Sequence, residues 1–399
     1  MTAVATAAIL VVAGLAIDLG RFFVVRAQLS KAVDGAALAG ARVLPAGESR
    51  AVDAAEEYAR MNFDVEFMSA RDTQFTVSFT PVQEAARVSV RGTAEMPLTF
   101  MRLVGLDQVT VPAFAEAERR PLAVALVLDN SYSLHPSFAG VDAIAYLRTA
   151  AENFVWYFDD EMDQMALTLF STGTELRSPL DHGFKASITP TIRSMSPHAN
   201  TNLSDGFVSG YRELRRGASP AALKVLVFFT DGRPTALRAQ IPVGATTVDA
   251  VIAGDQDPNG HVYDDLFDPH RLDRAIPGAR YPSSVFPDGT PKTTANLQAL
   301  AAHDLRRAAA GARAEAITVY AIGLGNPHHG ETWVQPDVRL LMEMANAPYA
   351  IDPRDGGVIQ NPNYDPSGPE GGVYFAPDPA QLSDVFEQVA RDIVLRLVQ

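Results

Sequence analysis

The chain has 399 residues, 47% of them hydrophobic and 20% charged, and no cysteine. That length allows two or three domains with a sizeable core, and the composition excludes disulfides and thiolate metal sites. The formal charge of −14 is uneven: residues 1–120 carry 12 basic against 14 acidic side chains and the rest 21 against 33, a balance that disfavours tracking a nucleic-acid backbone.

The chain opens with an uncharged apolar run, Ala3–Ile17, followed by Asp18, Arg21 and Arg26. The run is shorter than the about 20 residues of a full membrane span. No basic segment precedes it and no cleavage-type sequence closes it, so it is not a typical secretory signal. No proline interrupts the pattern before Pro45. Phe22, Val25, Leu29, Ala32, Val33, Ala36 and Ala39 recur at helical spacing and predict one apolar stripe. Residues 1–45 therefore read as a membrane-embedded start running into a long amphipathic helix; a buried helix of a soluble protein would fit the Ala-rich stripe too. Residues 46–118 read as a small α+β stalk without evident chemistry. Ser49–Phe63 is predicted helical, and Phe75–Phe79 and Ala86–Ala94 alternate as paired strands do.

From residue 119 to 399, strand-like runs alternate with helices, which predicts βα units and a doubly wound, mostly parallel sheet. The strands expected are Leu122–Leu128, Met165–Phe170, Leu223–Phe229, Ile317–Ile322 and Val373–Phe375. Helices are expected in GVDAIAYLRTAAENFVWYF and LSDGFVSGYREL, over Leu297–Ala314, and from Pro379 onward. Residues 235–294 stand out as an insertion rich in Pro, Gly and Asp, with the character of a long loop. Within it, Asp255, Asp257 and Asn259 alternate before Gly260, like the first half of a calcium-binding loop. Leu266 stands where that loop needs a bidentate glutamate, but Asp264 and Asp265 are adjacent, so these five residues form a candidate second site for Ca²⁺. His328, His329 and Glu331 are a weaker candidate for a transition metal.

The chemistry-bearing constellation lies elsewhere, on three segments. Asp129, Ser131 and Ser133 follow the first strand in VALVLDNSYSL, Thr201 sits in HANTNLSDG, and Asp231 closes the third in KVLVFFTDGRPT. These five oxygen donors suit Mg²⁺, or Mn²⁺ or Ca²⁺. The hydroxyls add no formal charge, which leaves such an ion attractive to an acidic group on a partner. Taken singly, each residue has a plainer reading: Asp129 and Ser131 as caps of the helix near Phe138, Thr201 or Ser204 as a cap of the next, and Asp231-Gly232 as a turn. In favour of a site, ligands of open α/β sheets bind outside the carboxyl ends of the strands, where these residues are expected. There is no phosphate-binding P-loop and no G-x-S-x-G elbow, and no positioned general base for a metal-assisted hydrolase.

DNSYS, the isolated Thr201 and TDGRP together resemble the metal-ion-dependent adhesion site of von Willebrand factor A domains. That resemblance implies the fold over residues 119–399, Mg²⁺ held by Ser131, Ser133 and Thr201 with Asp129 and Asp231 completing the shell directly or through water, and a carboxylate-bearing protein ligand. GLAIDLGRFFVVRAQLSKAVDGAALAGAR resembles the N-terminal signature of TadG-like proteins of the tight-adherence (Flp) pilus system. In that family a basic stretch and further apolar residues usually precede this point, so the chain as given is expected to start inside the membrane segment. The family resemblance implies a single-pass inner-membrane protein displaying its C-terminal domain outside that membrane and assisting pilus assembly or attachment. Arg21, Arg26 and Lys31, counted alone, would place the domain in the cytoplasm, where the alternative is a regulatory or chaperone-like protein docking an ATPase. No enzymatic activity and no nucleic-acid partner are expected.

Overall fold

α1 (Thr2–Val43) is one helix, and it is the spine of the first of two compact units, which are Met1–Pro121 with Val394–Gln399, and Leu122–Ile393. The computed structural model describes residues 2–44, 47–64, 66–82, 85–136, 141–220, 222–257, 259–325, 336–352 and 355–396. The stripe of α1 is buried as its periodicity predicts, with Val25, Leu29, Ala32, Val33 and Ala36 fully enclosed. α2 (Glu48–Asn62) turns back and buries Ala51, Ala55 and Ala59. Small residues at this contact let the two helices approach closely: a Cβ on Gly35 would lie 2.2 Å from the Tyr58 ring. β1 (Arg71–Val82), β2 (Ala85–Pro97) and β3 (Gln108–Arg119) form an antiparallel sheet in that order. Its inner face shares one core with α1. β3 is a strand the sequence reading left out. Its inward residues from position 113 onward are Ala113, Ala115, Ala117 and Arg119, with Phe114, Glu116 and Glu118 facing out, so an apolar residue outside and a charged one inside blur the polarity alternation.

Among the described residues no helix is long and apolar enough to cross a membrane. The apolar run of α1 ends at Asp18, which is 2% exposed. Its carboxylate accepts hydrogen bonds from the backbone N–H groups of Thr99, Phe100 and Met101, each at 2.9 Å. Arg21 adds bonds to Thr99 Oγ1 and to the carbonyls of Pro97 and Met68. The polar residues after the run thus lock the β2–β3 loop onto the helix.

The second unit is built on a six-stranded sheet. In chain order its elements are β4 (Leu122–Asp129), α3 (Ala143–Trp156), β5 (Gln164–Phe170), β6 (Thr174–Asp181), α4 (Phe184–Arg193), α5 (Leu203–Gly217) and β7 (Leu223–Thr230). There follow β8 (Ala236–Val243), β9 (Thr246–Ala253), β10 (Asp265–Phe267), β11 (Ala275–Arg280), α6 (Thr294–Ala314) and β12 (Thr318–Leu324). The chain finishes with α7 (Val338–Ala345), β13 (Tyr349–Ile351), β14 (Val358–Gln360), β15 (Gly372–Ala376) and α8 (Leu382–Arg396). The sheet runs β15-β12-β7-β4-β5-β6, parallel except for the edge strand β6. β4 is buried along its whole length, as a central strand covered on both faces must be. Helices α5, α6 and α7 share a core with one face of the sheet. On the other, Phe154 of α3 and Phe229 of β7 meet Phe386 of α8 edge-on or tilted. Strand order reverses between β4 and β7, so the carboxyl ends of these two neighbours mark the switch point where open α/β sheets bind ligands.

The insertion differs from its loop-like reading. β8 to β11 form a separate antiparallel sheet in the order β11-β10-β9-β8. β8 and β9 pair from Ala236↔Ala253 to Val243↔Thr246 across a two-residue turn. Gly244 at its first central position has φ +60, the conformation that a II′ hairpin requires there. Leu237, Ile241, Ala250, Ile252 and Leu266 form a small core with Leu297 and Ala301 of α6. Its prolines and glycines punctuate strands instead of making one long loop.

Candidate metal centre

β4 and β7 end side by side and deliver Asp129 and Asp231 to the same place. The Ser131 amide donates to Asp129 Oδ1 at 2.9 Å, and Thr230 Oγ1 donates to Asp129 Oδ2 at 2.6 Å. Ser133 Oγ donates to Asp231 Oδ1 at 2.7 Å and lies 2.9 Å from Ser131 Oγ, with Ser131 Oγ also 3.5 Å from the same carboxylate oxygen. Four of the five residues picked from the sequence therefore form one continuous, buried cluster. The segment that carries Thr201 is tied to the ends of β4 and β5 by backbone pairing. The His198 N–H donates to Asn130 O at 2.7 Å and His198 bridges to Ser131. Asn130 Nδ2 reaches Ser196 O at 2.6 Å, and the Asn202 N–H donates to Ser171 O at the end of β5.

The helix near Phe138 that Asp129 and Ser131 are expected to cap lies outside the described residues; Ser131 flanks the short turn Tyr132–Leu134 without a side-chain cap bond. Asp142 caps α3, and Asn202 caps α5 through the amide of Asp205, leaving Thr201 and Ser204 out of that role. Thr201 Oγ1 is buried and has no hydrogen-bond partner among the described residues. A buried hydroxyl left unsatisfied is costly, and a metal ion is a partner that would satisfy its oxygen.

Burial pushes the Asp129 carboxyl up, against the opposing hydrogen bonds of Ser131 and Thr230. Burial, then the neighbouring Asp129 charge, pushes Asp231 well above the usual carboxylate range. Two enclosed carboxylates beside one another resist ionising together; a divalent cation between them would remove that repulsion. The donors are all hard oxygens, with neither thiolate nor imidazole among them, so the residues fit Mg²⁺, Mn²⁺ or Ca²⁺.

The insertion's acidic residues are spent differently. Asp255 accepts from His261 N and from the Tyr263 hydroxyl, and Asp257 accepts from Asn259 N, the bonds of a tight turn. Asp264 pairs with Lys292 at 2.8 Å and with Arg280, which also reaches Asp265. The Lys292 ammonium holds the Asp264 carboxyl below its usual range. Among the described residues no group of three or more His, Cys, Asp or Glu side chains is placed to hold a metal. His328, His329 and Glu331 lie outside the described residues.

Sequence reasoning missed Thr230, which orients Asp129, and Thr235. The amide of Thr201 donates to Thr235 Oγ1 at 2.9 Å, and Thr235 N returns a bond to Thr201 O. Thr235 leads directly into β8, so the insertion is stapled to the Thr201 loop. The signal was the Thr-Asp-Gly-x-x-Thr spacing around Asp231, which places hydroxyls on both sides of the strand end. The turn after β5 is fixed too: Gly173 N donates to Leu272 O, and a Cβ on Gly173 would lie 2.2 Å from Arg271 O.

A family model described as von Willebrand factor type A domain matches residues 124–233, which run from β4 to just past β7. Residues 1–43 match a second model, described as putative Flp pilus-assembly TadE/G-like. The chain combines the two as a TadG-like protein with a von Willebrand factor A domain does. No curated protein matches it at a significant level. Among solved structures it is similar to the PilB minor pilin from Streptococcus sanguinis, at 17% identity and a TM-score of 0.46 over 83% of this chain and 80% of that one. It is also similar to the vWF domain of the type V pili tip protein Mfa5 from Porphyromonas gingivalis, at 16% identity and 0.45 over 70% and 97%. A third is the pilus adhesin SpaC from Lactobacillus rhamnosus GG, at 13% and 0.45 over 82% and 35%.

Proposed function

We propose that the protein is a non-enzymatic, metal-dependent recognition component of a Flp-type pilus system. The observation that carries this reading is the oxygen cluster of Asp129, Ser131, Ser133 and Asp231, with a buried Thr201 hydroxyl, on a loop tied to the same strand ends, lacking any protein partner among the described residues. Mg²⁺ or a similar ion held there would offer an open position to a carboxylate of a protein ligand, which is binding chemistry that requires no reaction of that ligand. The chain's own residues orient the donors: Thr230 and the Ser131 amide fix Asp129, and Thr235 fixes the Thr201 loop. The TadE/G-like segment associates the protein with the bacterial envelope. In the finer reading its apolar run enters the inner membrane and the A domain lies outside that membrane.

The test is binding of the full chain to purified Flp-type pili, in Mg²⁺ and after chelation. Binding that requires Mg²⁺ and is lost in Asp129→Ala supports the proposal. Binding indifferent to chelation removes metal from the mechanism, and no binding removes the pilus as the partner.

A further inference from the structure

Between residues 11 and 20 of α1, only Gly14 and Asp18 are buried. Both are covered by the β2–β3 loop: a Cβ on Gly14 would lie 2.5 Å from Phe100 Cβ, and Asp18 holds the amides of residues 99–101. The loop is a short 3₁₀ turn, Met101–Val104, closed by Gly105 at φ +90. Leu98 N donates to Asp107 O across its base at 3.0 Å. Apart from Arg102, what this turn presents is apolar and exposed. Leu103 is 86% exposed, and Val104 and Leu106 are each about half exposed. Beside them on the helix Val11, Val12, Leu15 and Ile17 are also exposed.

We propose that the loop Phe100–Leu106 is a second membrane contact, a wedge that seats in the lipid interface beside the apolar run of α1. This rests on the reading that the run enters a membrane, and it adds a residue set that reading does not contain. Three observations favour lipid as the occupant. The apolar loop residues adjoin the uncharged run that opens α1, whose backbone bonds are internal, the form a backbone needs in hydrocarbon. Packing against Gly14 sets the loop at the level of the run's last turns, just before Asp18, where hydrocarbon gives way to headgroups. Arg26 and Lys31 are exposed further along α1, which suits anionic headgroups. The Asp18 and Gly14 contacts fix the turn beforehand, so little ordering is left to oppose its insertion.

The test is flotation of the full chain with vesicles of phosphatidylethanolamine and phosphatidylglycerol, with thermal melting to confirm folding and light scattering to report self-association. Three proteins are compared: wild type, Leu103→Glu with Leu106→Glu in the loop, and Val12→Glu with Leu15→Glu in the run. Burying one leucine changes partitioning by about tenfold or more. The loop variant is expected to bind at least tenfold more weakly than wild type with an unchanged melting temperature. Loop-variant binding equal to wild type, with binding lost in the run variant, overturns the wedge and leaves membrane attachment intact. A wild-type chain that does not float removes both. Loss of self-association in the loop variant, with flotation unchanged, makes this face a contact between copies of the chain and overturns the proposal.

Discussion

Replacing Thr201 by valine separates the metal reading from a merely structural one, because the two forecast opposite signs. Valine keeps the shape and the backbone bonds to Thr235, and it removes only the hydroxyl that has no partner among the described residues. Leaving such a group buried costs about 1–3 kcal/mol, so Thr201→Val is expected to stabilise the metal-free protein by about 1 kcal/mol. With Mg²⁺ at a hundred times its dissociation constant, wild type gains about 2.7 kcal/mol from linkage. The variant, having lost a ligand, gains less, and the order of stabilities reverses. Urea unfolding followed by circular dichroism, once with a chelator and once with Mg²⁺, measures both differences. A variant less stable than wild type in chelator, or one with the full Mg²⁺ gain, refutes the reasoning.

Burial raises Asp205 to about 6, although Arg238 stands 3.7 Å away. A carboxyl whose native value lies above its unfolded one contributes stability below about pH 4 that is lost as pH rises through about 6. Unfolding free energy at fixed ionic strength should therefore fall across that window by up to about 3 kcal/mol from this group, and Asp205→Asn should flatten that fall; an unchanged slope contradicts the assignment. Gly173→Ala drives a methyl into the carbonyl oxygens of Arg271 and Asp268, and strain of that kind costs roughly 2 kcal/mol or more. Its expected signature is a lower melting temperature together with faster proteolysis within residues 268–273, which pack on that turn; a wild-type digestion pattern would count against that packing.

The parallel sheet was legible because buried strands announce themselves: VALVL and KVLVFF carry long apolar runs, each ended by an aspartate. The meeting of Asp129 with Asp231 was legible for the same reason, since each follows a buried strand and those strands are neighbours in the sheet; Thr201, in the loop before α5, carries no such signal. β3 stayed hidden because it alternates alanine with larger exposed residues, and hydropathy barely changes where Phe114 faces out. The insertion was misread because glycine and proline content does not distinguish a loop from short strands joined by tight turns. Leu237, Ile241, Ile252 and Leu266, scattered over thirty positions, build a core only once paired. Asp255, Asp257 and Asn259 have calcium-loop spacing, but Lys292 and Arg280 hold the acids that would complete the loop. Neither cation is near them in sequence.

The central claim is that a divalent cation binds the hydroxyl and carboxylate cluster at the ends of β4 and β7. Calorimetric titration of Mg²⁺ into the full chain, beside Ser131→Ala with Ser133→Ala, tests it most directly, because the double variant keeps both aspartates and loses only neutral oxygens. The account predicts one saturable site in wild type that disappears in the variant. Equal binding in both proteins would contradict it by making the site a simple acidic cluster, and no binding in either would remove the metal from the mechanism.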